Sequence, residues 1–326
     1  MPITGPERTA HRADAYAVRV AVALGTVYVV WGSTYLGIRV VVTSGLPPMT
    51  SMGSRFLAAG AVLAAVLAAR RGRAALRLDR AEVLASAVVG LLLLLMGNGL
   101  VSVAERTVPS GLAALLVATT PLWLVVLGTT VGRRTRAGRR PAVRGATWVG
   151  ILVGFAGTAV LASPGGTPGG VAWWGPAMIL AATFCWALGS LLSGRLRMPR
   201  DLFVGAAYQM VIAGAAMLLV GLLVGEARGL DLAAVPPRGW VALVYLATAG
   251  SLLAYTAYYW LLANAPLQLV STYAYVNPVV AVLLGWWLLD EAVTPAVLAG
   301  GAVALAGVAI VITSERRGPA AGTAEP

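Results

Sequence analysis

Arg55 lies where a charged side chain is costly. It is the eighth residue of an apolar run, 48–69, that holds no other charged residue. A guanidinium in such a place can bind a carboxylate through two parallel hydrogen bonds, which would make Arg55 a substrate-binding residue. Two structural alternatives stay open: the side chain extends to the nearest aqueous surface, or it pairs with a fixed partner such as Glu105.

Further candidate binding residues are polar or aromatic side chains in other apolar runs. They are Trp31, Ser33, Tyr35, Asn98, Trp186, Ser190, Tyr255, Tyr259, Tyr275 and Asn277. Aromatic rings bind apolar or cationic solutes through dispersion and cation–π contacts. Each residue also has a structural interpretation, as core packing, helix–helix hydrogen bonding or anchoring at a membrane surface. Pro121 and Pro278 each remove a helix hydrogen bond, so they predict either gate hinges or static kinks.

Residue types that enzymes depend on are scarce. His11 is the only histidine, and Cys185 is the only cysteine. This argues against a metal cluster, a histidine-dependent triad and an internal disulfide, and no cofactor is predicted. The chain also lacks a G-x-x-x-x-G-K-[ST] nucleotide loop, which argues against an ATP-driven pump.

The candidate residues are carried by ten apolar runs, each about as long as a membrane-spanning helix. The chain is 59% hydrophobic and 11% charged, whereas soluble domains average about 45–50% and about 25%. We therefore predict an all-α integral membrane protein with ten transmembrane helices in the lipid bilayer. The runs are 20–38, 48–69, 83–104, 108–131, 145–163, 171–193, 203–225, 239–262, 267–289 and 295–313.

Arginine supplies every basic residue, and its distribution predicts how the chain is oriented. Nineteen of the 24 arginines fall in the tail 1–19, in the loops after the second, fourth and sixth runs, and in the tail 314–326. Because basic residues accumulate in cytoplasmic loops, we predict that both termini are cytoplasmic. The net charge of +12 then reflects topology and does not indicate a nucleic-acid partner.

The two halves of the chain share an ordered set of marker residues. The matched pairs are Trp31 with Trp186, Pro109 and Pro121 with Pro266 and Pro278, and Gly150 and Gly157 with Gly300 and Gly307. Five runs per half is an odd number, so the second half would enter the membrane upside down. We predict inverted repeats over 20–163 and 171–313, joined by an external linker at 164–170, with a small-molecule site between them.

Six longer stretches form an ordered set: WGSTYLGIR at 31–39, RFLAAG at 55–60, GNG at 97–99, VPSG at 108–111, ATTP at 118–121 and STYAYVNPVVA at 271–281. Together they resemble the EamA-type branch of the drug/metabolite transporter superfamily, and within it the YedA-like inner-membrane proteins, which implies a location in the inner (plasma) membrane. The resemblance implies ten helices and export or exchange of small metabolites, amino-acid-like or amphipathic and drug-like, by alternating access. The chain departs from the family pattern before the fifth helix, where no acidic residue matches Glu291.

No carboxylate lies in the middle of a run to supply a proton-driven step. Glu82 and Glu105 stand at the two ends of the third run, and Glu291 lies in an outer loop. Proton-driven carriers usually place an acid inside the membrane, so facilitated export or exchange is at least as well supported. An integral membrane enzyme, or a receptor or scaffold, is the weaker alternative, because neither catalytic groups nor a soluble binding domain are found. The sequence makes no prediction of oligomeric state.

Overall fold

A computed structural model describes residues 6–131, 144–163, 172–265, 267–270 and 272–316. The regular structure in these residues is helical. Short helical turns lie in three connections, at Arg73–Leu76, Leu232–Ala234 and Leu267–Val270. The main helices, numbered along the chain, are α1 Pro6–Thr43, α2 Pro48–Arg71, α3 Arg80–Ala104, α4 Ser110–Val117 with Thr120–Val131, α5 Gly145–Ala162, α6 Trp174–Ser193, α7 Leu202–Leu223, α8 Pro237–Tyr245 with Leu246–Leu253 and Ala254–Asn264, α9 Tyr273–Leu289, and α10 Pro295–Arg316.

Nine of the described helices are long and apolar enough to cross a membrane, and α9, with 17 residues, is shorter. Each helix falls on one of the predicted apolar runs, so the structure agrees with the predicted all-helical membrane class. Helix α1 is longer than its run, because it begins at Pro6 inside the predicted tail 1–19. Residues 6–19 contain no glycine, and a proline at the first helical position is well tolerated.

The middle parts of α3 and α8 are wound as π-helices, over Leu91–Gly99 and Leu246–Leu253. In α8 the Ser251 hydroxyl donates to the Leu246 carbonyl, five residues earlier, at 3.1 Å. π-Helical segments are rare and are often found at functional sites. Both segments therefore mark places where a neighbouring helix or a ligand approaches the backbone.

The two predicted hinge prolines have different effects on their helices. Helix α4 is interrupted between Val117 and Thr120, and Pro121 lies in the first turn of its second part. Helix α9 continues through Pro278 without a break. A break therefore occurs beside Pro121, whereas Pro278 does not interrupt its helix.

Helices α2 and α7 pack against each other in opposite directions. Gly53 lies against Gly214, whereas Gly60, later in α2, lies against Met210, earlier in α7. The approach is close because the residues are small: a Cβ atom on Gly53 would stand 2.9 Å from the Gly214 carbonyl oxygen.

Helices α5 and α10 form a second antiparallel pair. Gly150 lies against Gly307, and Gly157, later in α5, lies against Gly300, earlier in α10. Hydroxyl groups of Thr147 and Ser314 meet at 2.7 Å at one end of this pair. In the remaining packing, α1 contacts α8 and α9, and α6 contacts α3 and α4.

Side chains also connect the first and second halves of the chain at both ends of the bundle. At one end Arg71 pairs with Asp201, and Arg197 pairs with Asp79 at 2.8 Å. At the other end Glu226 accepts hydrogen bonds from the first residues of α2, including the Thr50 amide at 2.8 Å. These contacts hold α2 from both of its ends.

Candidate functional site

Arg55 is buried between α2 and α8. It is 4% exposed, so it does not extend to an aqueous surface. Its Nε donates to the Ser251 hydroxyl at 2.9 Å, and one terminal nitrogen contacts the Met52 sulfur at 3.5 Å. Its guanidinium carbon lies 4.6 Å from the centre of the Phe56 ring.

No carboxylate forms an ion pair with Arg55 in the part of the chain that the structure describes. The alternative of a fixed Arg55–Glu105 pair is therefore not supported by these residues. A guanidinium stays protonated under physiological conditions, so burial does not make it neutral. Arg55 is consequently a buried cation whose counter-charge has to come from elsewhere.

Four aromatic side chains form a cluster beside Arg55, here called the aromatic box: Trp31, Tyr255, Tyr258 and Tyr273. The ring of Trp31 lies 5.4 Å from Tyr255, 4.9 Å from Tyr258 and 5.4 Å from Tyr273, measured between centroids. The Tyr258 and Tyr273 rings are 5.9 Å apart and nearly perpendicular. The box thus joins α1, α8 and α9 around one tryptophan.

Arg55 and the aromatic box meet at Gly250, in the π-helical part of α8. The Trp31 indole nitrogen donates to the Gly250 carbonyl at 3.4 Å. A Cβ atom on Gly250 would stand 3.2 Å from a terminal nitrogen of Arg55 and 3.1 Å from the Thr34 methyl group. A side chain at this position would therefore be in tight contact with both groups, and one of them would have to shift by a few tenths of an ångström.

Ser33 contributes a polar edge to this region. Its hydroxyl lies 2.5 Å from the Tyr245 hydroxyl, and Tyr245 is within electrostatic reach of Arg55. The arrangement combines a cation, several hydroxyl groups and a wall of aromatic rings. It suits a small ligand with a carboxylate at one end and an apolar or cationic group at the other.

A second set of candidate residues lies between α3 and α6. A Cβ atom on Gly97 would stand 2.8 Å from the Trp186 ring, so this tryptophan packs on the π-helical part of α3. Asn98 follows directly, and its buried side-chain oxygen has no hydrogen-bond partner in the described residues. The Ser190 hydroxyl donates to the Trp186 carbonyl at 2.8 Å within its own helix.

The other candidates lie elsewhere. Tyr35 packs against the core formed by the end of α3 and the start of α4. The Tyr275 hydroxyl donates to the Val308 carbonyl in α10 at 3.5 Å, and the Asn277 side-chain oxygen is buried without a hydrogen-bond partner in the described residues. The side chain of Tyr259 lies outside the described residues.

Sequence reasoning did not single out Ser251 or Gly250 as site residues. The available signal was a group of small residues, ATAGS at 247–251, inside a run of bulky apolar residues. Small residues are common in membrane helices, so this pattern alone does not distinguish a binding site from helix packing.

Comparison with known proteins gives consistent matches along the chain. A family model described as the EamA-like transporter family matches residues 20–163 and 173–313. An uncharacterized inner membrane transporter, YedA of Escherichia coli strain K12, is 41% identical over 271 residues, which are 82% of this chain and 82% of that protein. An uncharacterized transporter of Archaeoglobus fulgidus is 22% identical, over 90% of this chain and 97% of its own.

The fold is also represented among solved structures. One crystal structure superimposes with a TM-score of 0.60 and covers 91% of this chain and 98% of its own. Its sequence is 22% identical, so the likeness concerns the fold alone.

Proposed function

The chain belongs to the EamA-like transporter family, and we propose that it exports or exchanges small carboxylate-bearing metabolites, with Arg55 holding the carboxylate. The names of the family and of its relatives indicate a transporter and not an enzyme. The observation that carries the assignment to Arg55 is its burial without an acidic partner among the described residues. A buried charge that lacks compensation is strongly unfavourable, so a bound anion would relieve its cost.

The aromatic box extends the proposal from a carboxylate to a class of compound. Trp31 and Tyr255 would contact the remainder of the substrate while its carboxylate lies on Arg55. Amino-acid-like and amphipathic compounds fit this combination, because both carry an ionised group beside an apolar body.

Alternating access is proposed to arise from two inverted five-helix halves, 20–163 and 171–313. The packing supports this, because helices in equivalent positions of the two halves, α2 with α7 and α5 with α10, run antiparallel. The first helix of each half also packs on the third and fourth helices of the other half. Helix α1 packs on α8 and α9, and α6 packs on α3 and α4. Trp31 lies on the π-helical part of α8, and Trp186 lies on that of α3.

In this mechanism the contact of Trp31 with α8 and the contact of Trp186 with α3 would alternate: one is closed while the other is open. One half would close over the substrate while the other opens, so that the site faces each side in turn. The break in α4 beside Pro121 provides one place where a helix can bend without losing further hydrogen bonds. Pro278 is proposed as the corresponding flexible point in α9, where the helix is continuous in this conformation.

The proposal is tested by transport into proteoliposomes that contain the purified full-length protein. Radiolabelled amino acids and small monocarboxylates are each compared with their amide derivatives, which lack the negative charge. We expect the acids to be transported and the amides not. Arg55→Ala should abolish uptake, because the cation that holds the carboxylate is removed.

Arg106→Ala is the matched control, since it removes an exposed arginine that follows α3. Its uptake should equal that of the unmodified protein, and both variants should be recovered from membranes in similar amounts. Undiminished uptake by Arg55→Ala, or equal uptake of acids and amides, would contradict the assignment.

A further inference from the structure

Glu105, immediately after α3, carries a fully buried carboxyl group. It is 0% exposed, although the residue after it, Arg106, is exposed. Neither oxygen of its carboxyl group has a hydrogen-bond partner among the described residues. A carboxylate ion in such a place would have lost its hydration with nothing to replace it, whereas a protonated carboxyl group costs far less to bury.

The charged and titratable groups that act on Glu105 come from α1 and from the segment before α10. Arg39 of α1 donates to the backbone carbonyl of Glu105, not to its side chain. Tyr35, one turn earlier in α1, and Glu291 are within electrostatic reach of the carboxyl group. Helices α2 and α6, which also pack on this end of α3, contribute no ion pair to it in the described residues.

Glu291 is held very differently from Glu105. Its oxygens accept hydrogen bonds from the Ser110 amide at 2.7 Å, the Ser110 hydroxyl at 3.0 Å and the Gly111 amide at 3.1 Å. These donors are the first residues of α4, where the helix dipole also favours a negative charge. Glu291 thus has three hydrogen-bond donors, whereas the Glu105 carboxyl group has none among the described residues.

Of these two carboxyl groups, Glu105 is the one whose surroundings favour the protonated form. Burial raises the pKa of Glu105 well above its usual range, and the negative charge of Glu291 raises it further, while Arg39 opposes the rise. A carboxyl group that is fully buried without donors keeps its proton more readily than one that accepts three hydrogen bonds. Glu105 is the one that keeps its proton.

Tyrosine residues connect this carboxyl group with the Arg55 site. Tyr35 is within electrostatic reach of both Glu105 and Tyr273. Tyr273 is hydrogen-bonded to Tyr258, and both belong to the aromatic box. Tyr35 is thus the residue through which the proposed proton site and the aromatic box would influence each other.

We propose that Glu105 is a proton-binding site of this transporter, protonated in the conformation described here and deprotonated when this end of the bundle rearranges. Turning the Arg39 guanidinium from the backbone carbonyl to the carboxylate would stabilise the deprotonated form. The coupling of this proton to transport rests on the function proposed for Arg55. Such coupling would make transport respond to a pH gradient. The position of Glu105 at the end of its apolar run did not indicate this role.

The first test needs no substrate. Infrared spectra of the purified full-length protein at neutral pH should contain the C=O stretching band of a protonated carboxylic acid. Glu105→Gln, which has nearly the same shape, should lose this band. Glu105→Asp, which keeps a carboxyl group, should retain a band. Glu82→Gln at the opposite end of α3 is the matched control and should leave this band unchanged.

A band that is absent from the unmodified protein, or that survives in Glu105→Gln, would overturn the proposal. Loss of the band in Glu105→Gln alone supports it. Because infrared spectra do not require a transported compound, this result is independent of whether Arg55 binds a carboxylate.

The second test measures coupling with the carboxylate identified in the proteoliposome experiment. A pH gradient should accelerate net transport by the unmodified protein and by Glu82→Gln, and this acceleration should be lost in Glu105→Gln. Exchange of labelled for unlabelled substrate at equal pH should continue in Glu105→Gln, which shows that the variant is folded. If the pH gradient does not accelerate net transport by the unmodified protein, or accelerates it equally in Glu105→Gln, the proposed coupling is overturned. The assignment of Arg55 would remain intact.

Discussion

Arg55 and Glu105 are both buried, yet burial has opposite consequences for their charge. Arginine cannot lose its proton in a protein, so Arg55 remains a cation. Its neighbours include a hydroxyl, a sulfur and the Phe56 ring, but no acidic partner among the described residues. Glutamic acid can take up a proton, and Glu105 becomes neutral at far lower cost than an unpaired carboxylate would. The first residue therefore calls for an anionic ligand, and the second for a proton.

Trp31 offers a residue-scale prediction because its ring is the common partner of the three tyrosines in the aromatic box. We expect Trp31→Ala to raise the KM for a transported carboxylate about tenfold, the equivalent of about 1.4 kcal/mol of lost contact. Trp31→Phe should have a smaller effect. Trp287→Ala is the control, since that tryptophan is 71% exposed on α9. Equal KM values for Trp31→Ala and the control would count against a substrate-contacting box.

At the scale of helices, close backbone approach decides how the two halves are joined. Gly150 and Gly157 of α5 face Gly307 and Gly300 of α10, and no side chain separates these backbones. Without a hydrophobic driving force between helices in lipid, such packing is a main source of stability. The antiparallel pairs α2–α7 and α5–α10 hold the bundle together, and the proposed site lies where α1, α2, α8 and α9 meet.

Gly157→Ala tests this view of the α5–α10 pair. A Cβ atom there would stand within 3 Å of backbone atoms of Gly300 and Ala304, which cannot move aside as a flexible side chain can. We expect the substitution to lower the free energy of unfolding by about 1–3 kcal/mol, seen as a lower melting temperature in detergent.

Gly128→Ala in α4 is the matched control, because a Cβ atom on Gly128 would meet nothing within 4 Å. Its melting temperature should be unchanged or higher, since alanine restricts the unfolded chain more than glycine does. If both variants melt at the same temperature, the close α5–α10 contact contributes little to stability.

At the scale of the whole molecule, charge predicts the orientation in the membrane, and packing shows which charged groups lie at each end of the bundle. The arginine-rich segments predict which side of the membrane each loop occupies. The Arg71–Asp201 and Arg197–Asp79 pairs belong to the arginine-rich end of the bundle, and Glu226 and Glu291 act at the opposite end. The proposed proton site would accordingly lie at the external end.

Cysteine labelling in intact cells tests this orientation. In a Cys185→Ser background, Ala233→Cys should react with a membrane-impermeant maleimide, because its exposed loop follows α7 at the predicted external end. Ala74→Cys, exposed in the arginine-rich connection after α2, should react only after the membrane is permeabilised. The reverse pattern would invert the predicted topology and place Glu105 at the cytoplasmic end.

The sequence by itself determined the membrane class, the positions of the helices and the family, because hydrophobicity along a run and ordered motifs are local properties. It also singled out Arg55 and two of the four residues of the aromatic box, Trp31 and Tyr255, since a charge or a ring inside an apolar run stands out. Only the tertiary structure placed Gly250 and Ser251 against Arg55 and showed that Glu105, at the end of its run, is fully buried. Burial and charge compensation depend on which helices cover a residue, and that is decided by packing between segments far apart in the chain.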